Sequence, residues 1–116
     1  MRYAGVLLTI LLIGAFIPSA RAEIDSQRLA DAIGKAENSW HYKPYGVLKD
    51  YCKPYDPDGQ CRKGCIQTID KWKAKLKYTD ENDFIRQFAE IYAPRKSHPL
   101  NHNWPKNVLF YYKKSY

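Results

Sequence analysis

Residues 25–37 read DSQRLADAIGKAE, and this stretch decides the fold class of the chain. Its apolar side chains recur at the i, i+3, i+4 and i+7 spacing that lines one face of an α-helix. These positions are Leu29, Ala32, Ile33 and Ala36. Because Asp25 or Ser26 can cap its start, we expect a helix that runs from there to about Asn38.

Turn-forming residues dominate the next segment, residues 40–60, which we predict to be a long structured loop. A second helix is expected over residues 61–76, because its apolar residues again share one face. The turn formers of the loop are Pro44, Gly46, Pro54, Pro57 and Gly59. The shared face of the helix carries Cys65, Ile69, Trp72 and Leu76.

Two more helices complete the predicted fold. The third starts at Thr79 or Asp80 and runs to Tyr92, because Pro94 cannot continue it. After a further loop, Asn103 caps a last helix that has a proline in its first turn. Since strand-type alternation is absent, the sequence predicts an all-α domain of about four helices with one long loop.

The first 22 residues carry the features of a secretory signal peptide. Arg2 gives a positive start, residues 6–17 are apolar, and Ala20-Arg21-Ala22 offers small residues for cleavage. An uncleaved anchor is the weaker alternative, because a membrane span needs about 20 apolar residues. We therefore predict a signal peptide over residues 1–22 and a single domain over residues 23–116. The expected location is periplasmic or secreted, without stable membrane insertion after signal removal.

The chain is basic, with a formal net charge of +7 that becomes +5 once Arg2 and Arg21 are removed. A positive charge favours encounters with anionic partners. Outside the cytoplasm these are teichoic acids, anionic lipids and peptidoglycan, so we expect no nucleic-acid partner. The domain is expected to be a monomer.

Three cysteines follow the signal segment: Cys52, Cys61 and Cys65. An oxidising compartment permits a disulfide, and the turn-rich loop suits a bridge between Cys52 and Cys61. Cys61 and Cys65 lie four residues apart on a helix, which is a poorer bridge geometry. We therefore predict a Cys52–Cys61 disulfide and a buried free thiol at Cys65. The spacing does not match zinc-binding pairs, so no metal site is predicted.

Other classes of chemistry find little support in the sequence. P-loop, GxGxxG and HExxH motifs are absent, and no cofactor is predicted. His41, His98 and His102 fall in loops or at a helix start, where a nucleophilic triad is hard to build. A cysteine peptidase that uses Cys65 is a minor alternative, because a thiol on a core face is usually inert.

Glu37 is the candidate catalytic residue, because it borders the apolar face at the C-terminal end of the first helix. Desolvation by apolar neighbours and repulsion by the helix C-terminus both raise the pKa of a carboxyl there. A protonated carboxyl is what glycosidic-bond cleavage needs, since the leaving oxygen must receive a proton. The simpler alternative is an exposed glutamate at a frayed helix end.

Several segments resemble lysozyme-like lytic transglycosylase domains. In that family a helix ends in a catalytic glutamate followed by serine, and a loop leads to a Gly–apolar–apolar–Gln segment that lines the cleft. The similar opening segments are AIGKAENS at 32–39 and YGVLK at 45–49. Five later segments resemble the later helices of phage-type members: DFI at 83–85, FA at 88–89, YAP at 92–94, NW at 103–104 and NV at 107–108.

This resemblance implies a small lysozyme-like helical domain that cleaves the glycan strands of peptidoglycan. Glu37 would be its general acid/base, and Ser39, Tyr45, Gly46 and Tyr92 would bind the substrate. In such enzymes one glutamate protonates the leaving oxygen. It then assists the C6 hydroxyl of the muramic sugar to close a 1,6-anhydro ring, so no attacking water is required.

Two positions differ from the family pattern. Asn38 stands between Glu37 and Ser39, and Lys49 stands where the family has glutamine. These differences favour an alternative, a non-catalytic exported module of the same fold that binds glycan or a partner protein. A third possibility is a small basic toxin or inhibitor stapled by one disulfide. The loop acids Asp50, Asp56 and Asp58 could supply a second carboxylate, although turn formation explains them more simply.

Overall fold

The computed structural model describes residues 23–114, which are helical and contain no strand. Four α-helices are present: α1 (Ser26–Glu37), α2 (Gln60–Lys75), α3 (Glu81–Tyr92) and α4 (Trp104–Lys114). The predicted all-α class with about four helices is therefore confirmed. Within residues 23–114 no helix is both long and apolar enough to cross a membrane. The signal peptide predicted over residues 1–22 lies outside the described residues.

Side-chain caps explain where α1 and α3 begin. The Asp25 carboxylate accepts from the Arg28 N–H at 3.1 Å, and the Asp80 carboxylate accepts from the Asp83 N–H at 2.8 Å. These aspartates satisfy backbone donors that the first helical turn leaves unpaired. Of the alternatives left open by the sequence, Asp25 and Asp80 are thus the caps. At its other end, α1 stops because Asn38 adopts the left-handed conformation at φ 49°.

The hydrophobic core forms around α1, which packs against α2, α4 and the 40–60 loop. Its predicted stripe is buried at Leu29, Ala32 and Ile33, and Ala36 packs at the edge. The same core cluster contains fully buried aromatic side chains from α3 and α4: Phe84, Phe88 and Tyr112. Because these residues are far apart in sequence, the core ties the C-terminal half of the chain to α1.

The loop predicted over residues 95–103 is in fact two short 3₁₀ helices, Arg95–Ser97 and Pro99–Asn103. His98 shapes the second one, because its Nδ1 accepts from the Leu100 N–H at 3.1 Å and its carbonyl accepts from the Asn101 N–H at 3.0 Å. Helix α4 then starts directly at Trp104. The segment before α4 is therefore compact, and this holds its polar side chains in defined positions.

The predicted disulfide is confirmed. Cys52 and Cys61 are bridged with their Cα atoms 4.7 Å apart, while Cys65 is a buried free thiol. Asp56 supports the same region, because its carboxylate accepts from the Cys61 and Arg62 N–H groups at 2.8 and 3.1 Å. The bridge and this cap together fix the end of the long loop to the first turn of α2.

We expect removal of the disulfide in a Cys52→Ser/Cys61→Ser variant to lower the free energy of unfolding by about 2–3 kcal/mol, since the bridge restricts the unfolded chain. Chemical denaturation with and without a reducing agent measures this. The reducing agent should destabilise the wild type and leave the double variant unchanged. Equal stability of the reduced and oxidised wild type would contradict the prediction.

Candidate functional site

Glu37 is the last residue of α1, and its carboxyl group is partly buried. The short 3₁₀ helix Pro44–Gly46 brings Gly46 against it. A Cβ atom added at Gly46 would overlap Glu37 Oε2 and come within 3.0 Å of its Cδ. Gly46 also has φ +68°, where residues with a side chain are strained. Glycine is therefore required here for two reasons, its backbone conformation and the close approach of the carboxyl group.

Trp104 also contacts this carboxyl group and is buried. Its indole Nε1–H donates to Glu37 Oε2 at 3.3 Å, which joins the end of α1 to the start of α4. A cavity of about 250 Å³ opens beside this pair. Besides Glu37 and Trp104 it is lined by Ala36, Leu100, Asn101, Asn103 and Asn107. Three amide side chains thus line the same cavity as one carboxyl group. Amides can both donate to and accept from sugar hydroxyl and acetamido groups.

Burial raises the pKa of Glu37 above its ordinary value of 4.5, and the Trp104 hydrogen bond opposes this in part. Desolvation destabilises the charged form, whereas a donor aimed at the carboxylate stabilises it. The expected shift is therefore present, and its main cause is the expected one, burial. Such a carboxyl keeps its proton to higher pH than a solvated glutamate.

This pKa predicts how Glu37 affects stability. Because the pKa is raised in the folded state, that state binds more protons than the unfolded chain as pH rises above about 4, so ionisation of Glu37 disfavours folding. We expect Glu37→Gln to match the wild type in stability near pH 3. The variant should be more stable than the wild type at pH 8, above the folded-state pKa. Chemical denaturation at the two pH values checks this, and the opposite ordering at pH 8 would contradict it.

Tyr45 and Tyr92 stabilise the backbone next to Gly46. The Tyr92 hydroxyl donates to the Tyr45 carbonyl at 2.6 Å, directly before Gly46. The Tyr45 side chain is only 5% exposed, and its ring packs edge-on against Trp40 and over Gly34. In this arrangement Tyr45 has no free ring face for a sugar, and the two tyrosines fix the backbone that carries Gly46.

Ser39 is also buried, and its hydroxyl donates to the Lys43 carbonyl at 2.5 Å. It closes the turn that leads from α1 to Gly46. The structure therefore brings Glu37, Gly46, Tyr45 and Tyr92 into one connected cluster, with Ser39 in the adjoining turn. Of the predicted substrate-binding residues, Gly46 lies directly against the Glu37 carboxyl group.

A second hollow, of about 150 Å³, lies on the Gly46 side of the carboxyl group. The 46–51 segment, α2 and α3 form its walls, and its lining includes Gly46, Leu48, Tyr51, Thr68 and Tyr92. Gly46 lines this hollow and also lies against the Glu37 carboxyl group, which lines the larger cavity.

Glu37 is the single carboxylate that lines either concavity within the described part of the chain. Asp56 caps α2, and Asp58 accepts from the Gln60 N–H at 3.3 Å, so turn formation explains both. Over residues 23–114 there is also no group of His, Cys, Asp and Glu that could hold a metal ion. The site therefore offers one group that can donate and accept a proton, the Glu37 carboxyl. It is hydrogen-bonded to the Trp104 indole and shares its cavity with three asparagines.

Sequence reasoning missed Trp104 as the partner of Glu37, together with the three asparagines. Trp104 lies 67 residues from Glu37, so no local periodicity connects them. A weak signal was available, because residues 101–107 read NHNWPKN and are unusually rich in amide side chains before a helix.

No family model, curated protein or solved structure matches the chain. Inference about function therefore rests on the geometry around Glu37 and on the resemblance of the short segments described above.

Proposed function

We propose that the protein is an exported lytic transglycosylase-like enzyme that cleaves the glycan strand of peptidoglycan, with Glu37 as its general acid/base. The observation that carries this proposal is a partly buried carboxyl with a raised pKa, set at the end of a helix beside an amide-lined cavity. General acid catalysis needs a carboxyl that still holds its proton near working pH.

The proposed reaction uses one carboxyl group twice. Glu37 donates its proton to the glycosidic oxygen as the bond from that oxygen to C1 of the muramic sugar breaks. The resulting carboxylate then accepts the proton of the C6 hydroxyl while the C6 oxygen of the same muramic sugar bonds to C1. This closes a 1,6-anhydro ring and returns Glu37 to its protonated form, so neither water nor a cofactor is consumed.

The surroundings of Glu37 suit this cycle. The Trp104 N–H stabilises the carboxylate between the two proton transfers, and burial keeps the acid form available before the first. A mechanism with an attacking water needs a second carboxylate about 6.5–9.5 Å away in inverting enzymes. The lining of the two concavities offers none within residues 23–114, which favours an intramolecular nucleophile.

The direct test is product analysis. Purified peptidoglycan digested with the wild-type protein should yield fragments that end in 1,6-anhydromuramic acid, identified by mass spectrometry after chromatography. These fragments are 18 mass units lighter than their hydrolytic counterparts, because no water is added. Reducing ends would instead indicate a hydrolase.

A binding assay on the same material separates the proposal from its alternative, the non-catalytic module. Protein that sediments with peptidoglycan but releases no fragments would overturn the enzyme and support the module. The observations that favour the module are Asn38 and Lys49, where this chain differs from the family pattern.

A further inference from the structure

A basic groove lies outside the Glu37 site, and we define it by Arg86, Arg95, Lys96, His102 and Lys106. It consists of two adjoining concavities of about 640 and 500 Å³, which share Glu90, Arg95 and His102 in their walls. None of these residues lines the cavity beside Glu37. The groove is therefore a separate feature of the surface.

The segment that precedes α4 explains why both features exist. In its second 3₁₀ helix, Pro99–Asn103, the side chains of Asn101 and Asn103 line the Glu37 cavity, and His102, between them in sequence, lines the basic groove. Helix α3 contributes Arg86, and α4 contributes Lys106. Four structural elements thus supply the basic side chains of the groove, which are brought together only by the tertiary fold.

The groove holds more positive charge than its own acids neutralise. Arg86 pairs with Asp83 at 2.6 Å, and Arg95 pairs with Glu90 at 3.0 Å. Neither Lys96 nor Lys106 has a carboxylate within ion-pairing distance among residues 23–114. Both lysines are exposed, so their charge is available to a ligand.

We propose that the basic groove binds phosphate groups carried along a soluble, chain-like polyanion. Guanidinium groups present several donors in a plane that matches phosphate oxygens, and ammonium groups add point charges. Two adjoining hollows with a shared wall suit successive phosphates of one chain better than a single isolated ion.

The lining argues against two other polyanionic surfaces. Amphipathic helices that bind membrane surfaces combine cations with large apolar side chains that insert beside them, and single-stranded nucleic acid is bound on stacked aromatic rings. Among residues 23–114, those that line the groove include no Trp, Tyr, Phe, Leu or Ile side chain. A phosphate chain needs neither feature.

Inorganic polyphosphate is the probe that tests this, because it carries phosphate without sugar, base or lipid. Its affinity for the wild type should be compared with that of Lys96→Gln/Lys106→Gln over a range of salt concentrations by titration calorimetry. Each lost phosphate contact lowers the slope of log affinity against log salt by roughly 0.7–0.9. We expect the slope to fall by about 1.5 and binding at ~0.1 M salt to weaken by about 10- to 50-fold.

Lys63→Gln/Lys71→Gln is the matched control, since it removes the same charge from exposed positions of α2 that do not line the groove. Its slope and affinity should stay close to those of the wild type. Equal weakening of both variants would overturn the proposal in favour of general charge attraction. Absence of wild-type binding to polyphosphate would also overturn it, and binding confined to phosphatidylglycerol vesicles would assign the groove to a lipid surface instead.

Discussion

Glu37→Gln is expected to lower the rate of fragment release from peptidoglycan by about 10²–10⁴-fold, the usual contribution of general acid–base catalysis. Glutamine keeps the shape of the side chain and can still accept the Trp104 N–H bond, but it has no proton to transfer. Folding should not suffer, because the carboxyl is desolvated and its neutral amide is close in size. The measurement is the initial rate of release of soluble muropeptides at a fixed protein concentration.

Glu81→Gln is a suitable control for this experiment. Glu81 lies in the first turn of α3 and does not line either concavity beside Glu37. The Glu81→Gln variant removes one carboxylate from the protein and leaves Glu37 in place. Its rate of muropeptide release should therefore stay near that of the wild type. Undiminished release by folded Glu37→Gln protein would exclude Glu37 as the proton donor.

Gly46→Ala is expected to reduce the same rate by about 10²-fold, because the new methyl group must displace the Glu37 carboxyl. The added Cβ would overlap Oε2 and approach Cδ at 3.0 Å. Misplacement of a reacting group by about 1 Å can cost 10²-fold in rate. The Gly46→Ala variant keeps Glu37 itself. A lower rate of release would therefore result from a displaced carboxyl group and not from a missing proton donor.

Gly59→Ala separates this effect from backbone strain. Gly59 has φ +72°, close to the +68° of Gly46, yet a Cβ added there meets nothing within 4 Å. Both variants should lose about 1–2 kcal/mol of folding stability through the left-handed conformation. Only Gly46→Ala should lose activity, and equal activity of the two variants would contradict the proposed contact. Denaturation and muropeptide release on the same preparations give both comparisons.

Much of the local structure was predictable because it depends on short-range patterns. The period of the apolar residues in α1 and α3 specifies a helix with one buried face, and aspartate before each helix specifies its start. The Cys52–Cys61 bridge was predictable for a similar reason, since two cysteines around a turn-rich loop are brought close by the loop itself. Turn formation by Asp56 also followed from its position, whereas its cap of α2 is a finding of the structure.

The sequence by itself determined that a helix capped at Asp25 or Ser26 runs to about Asn38, because periodicity and termination are properties of neighbouring residues. In the structure this helix is Ser26–Glu37. The tertiary structure alone decided what surrounds that carboxyl group. Trp104, the amides before α4 and the backbone of Gly46 converge on Glu37 only when the core is packed. The same packing places the segment before α4 between two concavities. Its asparagines line the cavity beside Glu37, and its basic side chains line the basic groove. Such contacts join residues up to 67 positions apart, and their geometry follows from how helices pack against one another, which no local pattern records.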